Sequence, residues 1–128
     1  MSKSSYRSLD VWQEARVLTK EIYILTRSFP RIETFGLVSQ MRRAALSIAC
    51  NIAEGQGRWN PRDYRRFVLI ARGSTFELEA QIIIAADIGY IDDPEPLIER
   101  TNEIAKKLNG LLRYLRKMQR TRPVTRYL

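Results

Sequence analysis

Histidine is absent from this 128-residue chain. That removes the commonest general base and the commonest zinc ligand, so Ser-His-Asp and Cys-His chemistry are excluded. There is one cysteine, Cys50. No internal disulfide can form, which suits a reducing compartment. With no histidine or second cysteine to activate it, and lying off the apolar stripe of its segment, Cys50 is expected to be a small packing residue. Long hydrophobic runs are also missing. The longest aliphatic stretch, Ile82 to Ala86, falls far short of the ~20 residues that span a bilayer. The first residues, Met1 to Ser5, are polar and lack the apolar centre of a signal peptide. The expectation is a cytoplasmic protein with no membrane contact. Finally, no Asp or Glu follows Glu103. Residues 1–103 hold 14 Lys+Arg and all 14 Asp+Glu, so the whole net charge of +8 sits in residues 104–128. A local basic excess of this kind favours anionic partners, nucleic acid above all.

What is present is helical periodicity. Val11, Ala15, Leu18, Ile22, Leu25 and Phe29 recur at steps of four and three between about Ser8 and Ser28, and Pro30 ends the segment. Ser8 and Asp10 suit its first turn. Leu37, Met41, Ala44, Ala45, Ile48 and Ile52 share a face between about Gly36 and Glu54. Gly55-Gln56-Gly57 closes that segment, with glycine where a left-handed cap is wanted. Asn60-Pro61 reads as an N-cap with proline at the first helical position. From there to about Ile88 the stripe is Tyr64, Val68, Ala71, Thr75, Leu78, Ile82 and Ala85, with Gly89 as C-cap. Asp92-Asp93-Pro94 repeats the start signal for a last helix, about 94 to 120, striped by Ile104, Leu108, Leu111, Leu112 and Leu115. No segment alternates as a half-buried strand does. Short connections between four helices call for antiparallel neighbours at roughly 20° crossings. The expected fold is therefore all-α, an antiparallel up-down four-helix bundle forming one domain over 1–128, with loose ends at about 1–6 and 121–128.

Several motifs within this pattern resemble a known family. In order they are Leu9-Asp10-Val11-Trp12, Phe29-Pro30 with Glu33, Phe35-Gly36-Leu37, Gln40-Met41-Arg42-Arg43-Ala44-Ala45, Ser47-Ile48, Asn51-Ile52-Ala53-Glu54-Gly55, and Ile70-Ala71-Arg72-Gly73-Ser74 with Glu77-Leu78-Glu79. The series resembles the bacterial four-helix-bundle proteins of 23S rRNA intervening sequences over roughly residues 6 to 118. The resemblance implies a five-membered ring of bundles. It also implies a fold similar to the accessory protein of diversity-generating retroelements, which binds a reverse transcriptase and nucleic acid. Genes of such proteins occur within intervening sequences of large-subunit ribosomal RNA genes and elsewhere. The resemblance brings no assigned biochemical activity.

Four groups of residues are candidate sites. On the second helix Gln40, Arg43, Ser47, Asn51 and Glu54 align over four turns beside Ala and Ile neighbours. This reads as a buried inter-helix network in which Arg43 meets Glu77 or Glu79, since a buried arginine needs a partner. A ligand- or partner-reading stripe is the alternative. On the third helix Leu69, Gly73, Phe76, Ala80 and Ile83 form a second apolar stripe opposite the core stripe, an expected oligomer interface. On the last helix Arg113, Arg116, Lys117 and Arg120 share a face, which Lys106 extends by two turns and Arg122 and Arg126 carry into the tail. Tyr114 and Tyr127 are candidates to stack on bases. Arg58, Arg62, Arg65 and Arg66 crowd the start of the third helix, either as an anion site or as a solvated basic corner, with Trp59 packing over the loop as the plain reading. Gly55-Gln56-Gly57-Arg58 lacks the Gly-Lys-Ser/Thr ending of a P-loop and no strand leads into it. The acids Asp92, Asp93, Glu95 and Glu99 sit where helix capping and the dipole want them, so no metal is expected. No nucleophile–base pair or cofactor loop emerges. The expectation is a non-catalytic homo-oligomer, without cofactor, that binds RNA or DNA through basic surfaces. The alternative is a module docking an acidic protein partner such as a nucleic-acid enzyme.

Overall fold

Four helices carry the chain: α1 (Asp10–Thr26), α2 (Ser39–Gln56), α3 (Pro61–Ile88) and α4 (Glu95–Thr121). The structure, a computed structural model, describes residues 5–121. Among these residues there is no strand, and no helix is long and apolar enough to cross a membrane. The expected all-α four-helix bundle is what is seen.

The contacts between helices fix their directions. Glu14 and Glu21 of α1 meet Lys107 and Arg100 of α4. Arg72 and Glu79 of α3 meet Asn109 and Thr101 of α4. Thr19 and Thr26 of α1 meet Ala45 and Arg42 of α2. In every pair of helices the partner's number falls as the first rises, so neighbours run antiparallel. Inside, Leu18, Ile22, Met41, Ile48, Ile52, Val68, Leu78, Ile82, Ile104 and Leu108 are completely buried in one core. These are the residues of the four apolar stripes, and helical spacing is what turns each stripe inward.

The helix ends follow expectation at both ends of α3 and depart from it elsewhere. Asn60 caps α3 as its side chain accepts from the Asp63 amide at 2.8 Å, with Pro61 following. Gly89 closes α3 in the left-handed region, φ 101°. Gly57, expected to be left-handed, is right-handed at φ −79°. The need for glycine at that end lies in Gly55, where an added Cβ would stand 2.9 Å from Tyr64 Cδ1 and 3.2 Å from the Tyr64 carbonyl. Close approach of α2 to α3, not backbone handedness, demands it. Ser8 belongs to a 3-10 turn, Tyr6–Ser8, ahead of α1, and that turn is capped by Ser5. Of the segment expected to be loose, about 1–6, Ser5 and Tyr6 belong to this folded turn, residues 1–4 lie outside the described residues, and Tyr6 packs edge-on against Trp12 at 4.9 Å. At the start of α2, Gly36 has non-helical dihedrals (φ −110°, ψ −108°) inside a wide turn, Thr34–Val38, so the helix proper begins at Ser39. Cys50 is exposed and is not the packing residue expected. Arg122, Arg126 and Tyr127 lie outside the described residues.

Candidate nucleic-acid interface

The antiparallel order brings two basic clusters to one end of the bundle. The start of α3 lies beside the end of α4, because Arg72 already faces Asn109. Seven residues, or two helical turns, in opposite directions from that pair place Arg65 across the α3–α4 seam from Arg116. Arg113, Arg116, Lys117 and Arg120 are all exposed on α4, and Lys106 is exposed two turns back. Arg62 and Arg66 are exposed, and Arg58 and Arg65 half-buried, at the start of α3. The half of the bundle made by residues 5–18, 48–74 and 108–121 carries eleven Lys/Arg against four Asp/Glu. The other half, residues 19–47 and 75–107, carries eight against ten. The described chain is thus electrically polar along its long axis.

Arg58 and Arg66 are held in place. Arg58 pairs with Glu54 at 2.8 Å, and its guanidinium lies 4.6 Å from the Phe67 ring. Arg66 lies 4.7 Å from the same ring. Phe67 is bracketed by two cations, an attractive arrangement for an aromatic face. Arg65 Nε is buried without a hydrogen-bond acceptor. Trp59, in the α2–α3 turn, is 97% exposed and does not pack over the loop as expected. Tyr114 is 58% exposed on α4. Lys107, by contrast, is engaged with Glu14. That carboxylate, chiefly through its hydrogen bond, raises the lysine's pKa.

The polar stripe of α2 is less buried than expected. Ser47 and Asn51 are half-buried: the Ser47 and Ser74 hydroxyls meet at 2.7 Å, and Asn51 Nδ2 donates to Ser47 Oγ at 3.0 Å. Gln40, Arg43 and Glu54 are exposed, as is Glu77. Arg43 and Glu77 face a shared surface depression of about 340 Å³, but Glu77 accepts from Gln81 at 3.3 Å and Glu79 from Thr101 at 3.5 Å. The stripe runs along the rim of the α2–α3 seam, so only its inner members are covered.

The second stripe of α3 does face outward. Phe76 is 50% exposed, and Gly73, Ala80 and Ile83 are exposed with Ile70, Ile84 and Ile88. Leu69 departs from the rest and is partly buried against the core. An added Cβ at Gly73 would meet nothing within 4 Å. Among the described residues no three metal-binding side chains gather.

Residues 7–110 match the model of the family described as 23S rRNA-intervening sequence protein. The chain belongs to that family. The match ends at residue 110, so the α4 basic face from Arg113 onward lies beyond it, while Arg58, Arg62, Arg65 and Arg66 lie within it. No curated protein matches the chain. Sequence reasoning found both basic clusters but not their convergence, which depends on which helices are neighbours. It also missed the bracketing of Phe67, for which the Arg58 and Arg66 spacing around position 67 was the available signal.

Proposed function

We propose that this protein is a non-catalytic, homo-oligomeric helical scaffold that binds nucleic acid, RNA in the first instance, at its basic end. The observation that carries the reading is the polarity of the bundle. One half has eleven basic and four acidic residues, and cations crowded on one surface bind a phosphate backbone by releasing its counterions. The family is described by intervening sequences of 23S rRNA, which is consistent with an RNA ligand. The outer face of α3 supports self-association. It exposes Ile70, Phe76, Ile83, Ile84 and Ile88, and an exposed mid-helix glycine costs about 0.5–1 kcal/mol against alanine with no return inside one subunit. A second copy is the occupant with matching chemistry. The outer face of α1 exposes Val17 and Ile24 beside Arg16, Lys20 and Arg27, while α3 carries Glu77 and Asp87. Assembly multiplies the basic ends and adds avidity.

The test is fluorescence anisotropy with labelled single-stranded RNA and duplex DNA at low salt. Reversing the charges of Arg113, Arg116 and Lys117 together should abolish binding while helix content stays unchanged. Unaltered binding in that variant, or none by the wild type, refutes the reading. In the second case an acidic protein partner becomes the account of the same surface.

A further inference from the structure

We infer that the basic end takes single-stranded nucleic acid in particular, with an unpaired base stacked on Trp59 and the flanking phosphates held by arginines of α3 and α4. This rests on the nucleic-acid reading above and narrows it to a ligand class and a site. Trp59 stands 97% exposed, yet the turn that carries it is pinned. The Gly57 amide donates to the Glu54 carbonyl at 3.2 Å and the Arg58 amide to the Gly55 carbonyl at 3.0 Å. On the other side Asn60 caps α3. The indole therefore sits bare on a fixed support, where a large aromatic ring normally finds cover. A flat face held in water beside cations suits a base, which brings both a π-face and a phosphate.

The phosphate positions follow from the same end. Arg58 and Arg66 are already laid over Phe67, so less side-chain freedom is lost when they engage an anion. The α3–α4 register sets Arg65 and Arg116 on one seam, and Arg65 Nε has no acceptor there. Two cations set on one seam repel, and an anion held between them lowers the repulsion. In a duplex each base face is covered by its neighbours, and uncovering one costs unstacking. A single tryptophan on a turn thus favours strands whose bases are already free.

The experiment uses the whole chain. The other tryptophan, Trp12, is removed by Trp12→Phe so that emission reports Trp59. A short uridine oligomer should quench that emission at low salt. Inorganic polyphosphate of similar charge should bind without comparable quenching, and a blunt duplex should quench less. Trp59→Ala should weaken the oligomer by between about fivefold and about 150-fold, with unchanged helix content, since the side chain is outside the core. Trp59→Tyr should recover part of the loss. Undiminished single-strand binding by Trp59→Ala, or equal quenching by duplex, overturns the stacking site while leaving nucleic-acid binding in place. No binding of any polyanion overturns both.

Discussion

Ile48 and Leu108 have no exposed surface and belong to the common core. Either one changed to alanine removes packed methyl groups and leaves a cavity, and should lower stability by about 2–5 kcal/mol in a denaturant titration. A change within the about 0.5 kcal/mol typical of surface sites would contradict their burial. Gly55 fails for a different reason, because its alanine would press on Tyr64 and Phe67 Cβ at 2.9 and 3.1 Å. Tyr90 gives a pH signature. Its hydroxyl donates to Glu33 Oε2 at 2.9 Å, and that bond first, then desolvation and the Glu33 charge, raises its pKa above the ordinary 10.0. A raised folded value means that the phenol form is favoured. The contribution is complete below the unfolded pKa and is lost as pH rises through the folded one. Burial raises the Tyr64 pKa as well, so ultraviolet titration should show two late-ionising tyrosines, of which Tyr90→Phe removes one. Exposed Trp59 and Cys50 were the residues least legible in the sequence, because neither composition nor spacing says whether a turn or helix shoulder is covered by a neighbour.

The four helices themselves were legible because each has an apolar stripe at steps of three and four, and burial of that stripe is the main stabilising term. Their ends were legible where a side-chain cap or a left-handed glycine marks them, as at Asn60-Pro61 and Gly89. They were not legible where the backbone route decides, as at Gly36, whose dihedrals leave the helical region. The α3 helix adds a prediction of its own. If its outer face is bare, Gly73→Ala should stabilise the protein by about 0.5–1 kcal/mol through helix propensity alone. If a neighbouring copy approaches there, the same change should weaken assembly, and Phe76→Glu should abolish it. Light scattering at micromolar concentration separates the two. A wild-type monomer, or a Phe76→Glu variant that assembles normally, contradicts the proposed oligomer. Within such a contact, Asp87→Arg and Arg27→Glu should each weaken assembly, and the two combined should restore it if α1 of one copy meets α3 of the next. A double variant no better than either single would remove α1 as the mating face.

At the scale of the whole bundle the decisive property is the placement of charge. The excess after Glu103 could be counted along the chain, but its union with Arg58, Arg62, Arg65 and Arg66 follows only from antiparallel packing of α3 on α4. Ion pairs elsewhere show how the rest of the surface is balanced: Glu14 takes Lys107 and Glu21 takes Arg100 along the α1–α4 seam. The claim that both clusters form one phosphate-binding surface is tested most directly by the salt dependence of affinity for a single-stranded oligonucleotide. The logarithm of the binding constant should fall linearly with the logarithm of salt concentration, by about 0.7 for each phosphate contact. Arg62→Gln and Arg65→Gln together should make the slope shallower, as should Arg113→Gln and Arg116→Gln together. A slope near zero in the wild type, or one that neither pair of substitutions alters, would contradict the account.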